Sequence, residues 1–163
     1  MNFRKATLAD TEQVYALYRS VVGSEFCVWS DEYPGQFEIE QDLAAKSLFV
    51  LTNGGEIVGA ISIVPENELD DFDFWKNKDG AHKEIARVVV AESRRGNAFA
   101  LEMVRKVADL LCKSGCTSLR LSVAKTNIPA CKTYIKAGFA TVGEAHLYGG
   151  EYYLMEKNLI ASK

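Results

Sequence analysis

Val88-Val89-Val90-Ala91-Glu92-Ser93-Arg94-Arg95-Gly96-Asn97-Ala98-Phe99-Ala100 opens on a β-branched run, passes a short polar turn and enters a long apolar-periodic segment. The valines favour a strand. Past the turn, Ala98, Leu101, Val104, Ala108 and Leu111 recur at helical spacing. The order is strand, turn, helix. Such a turn leaves several main-chain N–H groups without intrahelical acceptors at the positive end of the helix dipole, and that arrangement binds phosphate. Gly96, Ala98 and Ala100 keep side chains small where an anion would approach, and Arg94 and Arg95 add positive charge beside it.

Upstream, residues 3–6 read as a short strand. Asp10, with Gln13 three residues on, reads as a helix N-cap with a capping box. Val14, Leu17, Tyr18 and Val21 then line one face of a helix that ends near Gly23. Residues 24–36 are irregular and carry Phe26, Trp29, Tyr33 and Pro34, before Ile39, Leu43 and Ala44 mark a short second helix. Residues 48–52 and 56–64 read as strands joined by Asn53-Gly54-Gly55, a strong hairpin signal. Residues 65–80 are polar and acidic, with Phe72, Phe74 and Trp75 set among them, and read as a loop of a length that is usually functional or mobile. The strand that leads into the phosphate turn spans 82–90.

Downstream, the long helix ends near Gly115. Leu119, Leu121 and Val123 alternate with polar residues, as in a strand with one buried face. Pro129 suits the first turn of a helix that carries Ala130, Tyr134 and Ile135 and stops at Gly138. Residues 141–147 and 152–157 form a closing hairpin across Gly149-Gly150. No repeat, low-complexity run or domain boundary interrupts the chain, so residues 1–163 read as a single domain. The fold class is α/β, of α+β character: a central mixed sheet of about seven strands flanked by about four helices.

Bulk properties narrow the function classes. The formal net charge is −3, which argues weakly against nucleic acid. No apolar run approaches the roughly 20 residues that span a bilayer, and the N-terminus lacks the apolar core of a signal peptide. A cytoplasmic protein with no membrane association is expected. Cys27, Cys112, Cys116 and Cys131 have no metal or redox spacing, and only His82 and His146 could join them, so no metal is expected and the thiols read as buried and reduced. Charge is unevenly placed. Residues 91–139 carry nine Lys or Arg against three Asp or Glu, and residues 23–84 carry four against fourteen. The first region suits a polyanion and the second a cationic amine; the plainer account is that both are solvated surface.

Two blocks carry a family resemblance. Arg95-Gly96-Asn97-Ala98-Phe99-Ala100 resembles the acyl-CoA signature of the GNAT superfamily of N-acetyltransferases, Gln/Arg-x-x-Gly-x-Gly/Ala, just after its fourth strand. Asn127, Ala130, Tyr134, Gly138 and Phe139 fall at the spacing of that family's Asn-x-x-Ala…Tyr-x-x-x-Gly-Phe element. Ala98 stands where the first signature glycine is usual, and its methyl narrows the approach of a pyrophosphate. The resemblance implies a GNAT-like fold over nearly the whole chain and acetyl-CoA as cosubstrate, held where the fourth and fifth strands splay apart. It implies that main-chain groups of Val88, Val89 and Val90 face the pantetheine and thioester. The pyrophosphate would lie on the N–H groups of Arg95, Gly96, Asn97, Ala98, Phe99, Ala100 and Leu101, and Asn127, Ala130 and Tyr134 would face the pantetheine and sulfur.

The implied reaction is direct attack of a primary amine on the thioester in a ternary complex, and it needs the amine uncharged. At pH 7 that costs roughly 4–5 kcal/mol for a lysine-like amine and about 1 kcal/mol for an α-amine. Glu84 lies on the fourth strand where many relatives carry a catalytic glutamate, so it is the candidate base, acting directly or through a water. Otherwise it is an ordinary strand-end charge. His82, two residues away, shares its face. Tyr134 corresponds to the tyrosine that protonates the departing thiolate in many relatives. A phenol near 10 giving its proton to a thiolate near 8.5 is uphill by roughly 2 kcal/mol, so Tyr134 either has a lowered pKa or orients the sulfur by hydrogen bonding. For the acceptor, Trp29, Asp31, Glu32, Tyr33, Trp75 and His82 combine aromatic faces with carboxylates, a lining suited to an ammonium ion; the alternative is a surface loop pinned by aromatic anchors. The partner would be an amine-bearing small molecule or peptide, and a homodimer is a possible assembly. The competing function is a catalytically weak CoA-binding sensor or partner module.

Overall fold

The computed structural model describes residues 1–64 and 69–159. Among the described residues, seven strands form one mixed sheet in the order β1-β2-β3-β4-β5-β7-β6, and four α-helices accompany it. The elements follow the order read from the sequence. By internal contacts the chain forms two compact units, Met1–Ile63 with Arg87–Met103, and Val64–Ala86 with Val104–Lys163.

The first unit holds β1 (Asn2–Lys5), α1 (Thr11–Val21), α2 (Gln36–Ala44), β2 (Leu48–Asn53) and β3 (Glu56–Val64), with the end of β4 (His82–Val90) and the start of α3 (Phe99–Lys113). Strands β1, β2 and β3 pair antiparallel in sequence. The β2–β3 turn places Gly54 at φ 59° and Gly55 at φ 85°, the two left-handed residues that a tight hairpin turn demands. Val14, Leu17, Tyr18 and Val21 of α1 bury against Ile39, Leu48, Val50, Ile57, Ala60 and Val89. The helical stripe thus reaches the core.

The start of α1 differs from expectation. Asp10 does not form a capping box with Gln13. Its carboxylate turns back to accept the Thr7 N–H at 2.7 Å and takes both Arg4 Nη atoms, at 2.7 and 2.9 Å. Gln13 Oε1 instead accepts the Ile57 N–H at 3.1 Å. A bidentate guanidinium is a stronger partner for a carboxylate than a lone helix N–H. Arg4 holds the Asp10 carboxyl down at about 2.

In the second unit, β5 (Ser118–Ala124) pairs antiparallel with β7 (Gly150–Asn158), which pairs antiparallel with β6 (Ala140–Leu147). Helix α4 spans Ile128–Lys136. β4 runs parallel to β5 over three pairs, His82 with Ser118, Lys83 with Leu119 and Glu84 with Arg120. Two expectations are corrected. The last hairpin turns on Tyr148 (φ 50°) and Gly149 (φ 80°), one position earlier than Gly149-Gly150, because Leu147 pairs with Gly150. And β5 is buried on both faces: Ser118 is 0 % and Arg120 3 % exposed. Residues from the expected 65–80 loop cover the second face; residues 65–68 of that loop lie outside the described residues.

Candidate active site

β4 ends in the first unit where the Ala91 N–H reaches Val58 O at 2.9 Å. A 3₁₀ turn, Glu92–Arg94, follows. The chain then passes through Gly96 at φ 83° and Ala98 at φ 59° and enters α3 at Phe99. The first helical bond runs from the Glu102 N–H to Ala98 O at 3.0 Å, so the N–H groups of Phe99, Ala100 and Leu101 precede it. Asn97 closes the turn with its own side chain, donating to Arg94 O at 3.0 Å. Residues 95–98 are exposed, and among the described residues beyond its chain neighbours none comes within 4 Å of where a Gly96 Cβ would stand. Main-chain donors, small residues and open space on a fifteen-residue helix fit a pyrophosphate. Arg95 lies 3.6 Å from Glu92 and Arg94 3.6 Å from Glu56, which tempers but does not cancel the local positive charge. Gly59 lets the helix start seat closely: a Cβ there would meet Met103 at 3.0 Å and Val89 O at 3.3 Å. Val89 is buried, while Val88 and Val90 are half-buried.

The residues of the first unit expected to face an acceptor, Trp29, Asp31, Glu32 and Tyr33, lie on the segment between α1 and α2. Arg19 organises it, donating to Ser30 O at 2.9 Å and to the carbonyls of Asp31 and Pro34. Asp31, Glu32 and Tyr33 are exposed, and Trp29 is half-buried with its ring edge-on to Tyr18 at 5.5 Å. Tyr33 accepts a hydrogen bond from Arg87 Nη1 at 3.2 Å. Arg87 also forms a buried pair with Asp42. Burial alone would lower the guanidinium's pKa, but Asp42 and Tyr33 outweigh it and hold the charge firmly in place. The same surroundings enclose Tyr18. Its hydroxyl is buried, and burial pushes it up to about 12.

In the second unit, Glu84 is buried at 8 % exposure, across the ladder from Arg120. His82 Nε2 lies 2.8 Å from Asp70 Oδ1, and that oxygen also accepts from Arg120 Nη1 at 3.1 Å. Arg120 further donates to Asn77 O at 2.9 Å and lies 4.7 Å over the Trp75 ring. Trp75 is a correction. It is 3 % exposed, its indole N–H is taken by Leu69 O at 2.7 Å, and it packs with Leu69 and Leu154. It anchors the loop and is not open to an amine. Asn127 caps α4, with Oδ1 accepting the Ala130 N–H at 3.3 Å, so the cap uses the amide oxygen and not the Nδ2 group. Tyr134 is 8 % exposed and edge-on to Phe139 at 5.9 Å. Burial, then the charge of Cys131, pushes its hydroxyl well above the ordinary phenol range, opposite to what an acid for a thiolate needs.

Residues 95–101 therefore share one turn, Trp29 to Tyr33 share one braced segment, and His82 and Glu84 share one strand face. Sequence reasoning missed Arg87, Asp42 and Tyr18 as a polar cluster. The available signal was a charge beside the apolar stripe of α2 and another inside a β-branched run, since charges in such places are seldom buried unless paired. The four thiols are free; Cys116 is buried, whereas Cys27, Cys112 and Cys131 are only half-buried, short of full burial. Among the described residues, no three of His, Cys, Asp and Glu are grouped to hold a metal ion, and no helix is long and apolar enough to cross a membrane.

Comparison with known proteins gives a family. The model of the acetyltransferase (GNAT) family matches residues 13–139. No curated protein matches. Among solved structures, the chain is similar to a GNAT-family acetyltransferase from Streptococcus agalactiae, at 17 % identity over 96 % of this chain and 94 % of that one, with a TM-score of 0.80. It is similar to YncA of Salmonella typhimurium, solved with its cofactor acetyl-CoA, at 16 % identity over 100 % and 96 %, TM-score 0.77. A ribosomal-protein-alanine N-acetyltransferase from Brucella melitensis is 19 % identical over 97 % and 99 %, TM-score 0.76. At these identities the structures speak to the fold alone. With the family model covering both signature blocks, the chain belongs to the GNAT family of acetyltransferases, enzymes that use acetyl-CoA.

Proposed function

We propose that residues 1–163 act as one domain that moves the acetyl group of acetyl-CoA to a primary amine, on a small molecule or a peptide, within a ternary complex. The observation that carries this reading is the exposed turn between β4 and α3, with three helix N–H groups ahead of the first helical bond and, among the described residues, open space beside Gly96. A GNAT relative of the same fold was solved with acetyl-CoA, and another is a ribosomal-protein-alanine N-acetyltransferase, which supports an amine acceptor without choosing one.

The parts divide as follows. The turn holds the pyrophosphate, main-chain groups of residues 88–90 face the pantetheine and the thioester carbonyl, and Asn127 donates through Nδ2. Glu84 takes a proton from the acceptor's ammonium, directly or through a water, and so frees the nitrogen lone pair. The neutral amine nitrogen forms a bond to the carbonyl carbon, the carbon–sulfur bond breaks, and the second proton that the nitrogen sheds on becoming an amide balances the one the departing thiolate gains as CoA thiol. Tyr134 serves that departure by orienting the sulfur, since burial holds its proton too tightly for easy donation. Trp29, Asp31, Glu32 and Tyr33 face the acceptor, with His82 beside Glu84. Assay of thiol release against a panel of amines, with mass spectrometry of the acetylated product, tests the reading. Glu84→Gln is expected to slow turnover most below the acceptor's pKa; an unchanged pH–rate profile removes Glu84 from the mechanism. The second reading, a CoA-binding module with little turnover, is favoured by Ala98 holding a left-handed conformation in place of glycine. Tight acetyl-CoA binding with no acceptor in the panel would select it.

A further inference from the structure

One guanidinium in the first unit ties together, through α2, two pieces of chain that the proposed reaction uses, the end of β4 and the segment that holds Trp29 and Tyr33. Arg87 sits in β4, directly before Val88, in a left-handed conformation at φ 52°. Its side chain is 10 % exposed and that of its partner Asp42, on α2, is 5 %. Nε and Nη2 make three bonds to the Asp42 carboxylate, at 3.1, 2.8 and 2.9 Å. Nη1 reaches outward to the Tyr33 hydroxyl at 3.2 Å. Ser62 on β3 completes the carboxylate, donating to Oδ2 at 2.6 Å. Tyr18 lies 0 % exposed in these surroundings and braces Trp29. Two acceptor-side aromatic residues are thus each held by this cluster, and the same cluster fixes the strand residue that precedes the thioester-facing main chain.

A buried ion pair is a poor way to gain stability alone, because apolar residues of the same volume do as well or better. What the planar fork supplies is direction: two sides of one rigid group set the angle between partners, which a lysine ammonium does not do. A left-handed arginine inside a strand turns the following peptide, and such a conformation persists only where its contacts determine it. We propose that Arg87 is a positioning residue for acetyl transfer: through Asp42 and Tyr33 it holds main-chain residues 88–90 and the amine-facing Trp29 and Tyr33 in one fixed relation. This rests on the acetyltransferase reading above.

The test uses three variants of the full chain: Tyr33→Phe, Arg87→Lys, and the double variant Arg87→Gln with Asp42→Asn, which leaves no lone buried charge if the single change fails to fold. Hydrogen–deuterium exchange on the unliganded protein reads the coupling without any substrate. Exchange in 28–35 and in 86–91 is expected to rise together, about tenfold, in Arg87→Lys and in the double variant. A rise confined to one segment overturns the proposal. In steady state, Arg87→Lys is expected to lower kcat/KM for the amine about tenfold and to raise KM for acetyl-CoA several-fold, whereas Tyr33→Phe is expected to lower kcat/KM for the amine about threefold with KM for acetyl-CoA within twofold of wild type. Wild-type amine kinetics in both single variants also overturn it. If the unaltered protein acetylates no amine, the transferase reading fails, and the exchange experiment still decides whether Arg87 couples the two segments.

Discussion

An alanine stands where a glycine would be at ease. At φ 59° the Ala98 Cβ crowds its own backbone, a conformation that costs an L-residue about 1–2 kcal/mol. Glycine there removes that cost but gives back about 0.4–1 kcal/mol through a freer unfolded chain. The first effect is the larger. Ala98→Gly is therefore expected to stabilise the protein by about 0.5–1 kcal/mol in a urea titration. Because Ala98 lies on the exposed turn and the change also removes a methyl from the approach to the helix N–H groups, acetyl-CoA affinity is expected to hold or rise. A drop in stability would mean that the methyl earns contacts which outweigh the strain. The sequence showed Ala98 as a departure from the family signature, but not that its backbone keeps the conformation for which glycine is suited. Local chemistry names the residue; only the fold fixes its φ.

Elements were legible wherever their signal was local. The β-branched run of β4, the two glycines of the β2–β3 turn, the apolar stripe of α1 and that of α3 from Leu101 onward each act over a few residues, and each formed as expected; Ala98, expected to open the α3 stripe, instead precedes the helix, exposed and left-handed. What stayed hidden was brought in from far along the chain. Arg120 alternates with Leu119 and Leu121 as a solvent-facing residue should, yet it is buried by Asp70 and Trp75, from a loop some 50 positions away. Arg87 meets Asp42 across 45 positions. No periodicity records such a meeting. Helix α4 shows the same division. Asn127, Pro129 and Tyr134 sit at the cap, first turn and inner face that the spacing implies, but the environment of the Tyr134 hydroxyl was not readable. Burial raises it, so the folded phenol stays protonated across and beyond the ordinary phenol pKa of 10. From this, kcat is expected to show no alkaline limb from Tyr134 below about pH 10. Tyr134→Phe is expected to lower kcat several-fold while acetyl-CoA affinity changes little, as fits a hydrogen bond that strengthens when the sulfur gains charge. Weakened binding with kcat intact would make Tyr134 a binding residue instead.

At the scale of the whole chain, the family match runs from residue 13 to residue 139 and so draws on both compact units. The exposed turn before α3 belongs to the first, while Glu84, Asn127 and Tyr134 belong to the second. A ligand that needs main-chain donors presented only by a formed helix start is bound only by the folded chain, which makes thermal stability a direct gauge of binding. At a hundred times its dissociation constant, such a ligand adds about 2.7 kcal/mol. For a domain of 150–250 residues each kcal/mol moves the midpoint by about 2–4 °C, so acetyl-CoA is expected to raise Tm by about 5–10 °C. The exposed Lys and Arg of residues 91–139, among them Arg95, Arg105 and Lys106, would supply part of that affinity. The shift should therefore shrink as salt is raised from 0.05 to 0.5 M, an interval over which the Debye length contracts from about 14 to about 4 Å. The main-chain donors at the start of α3 keep their hold in salt better than side chains do, so a residual shift should survive at the high end. Disappearance of the shift in salt would assign binding to surface charge rather than to the helix terminus. Absence of any shift at saturating acetyl-CoA, in low salt, would overturn the transferase and the CoA-module readings together.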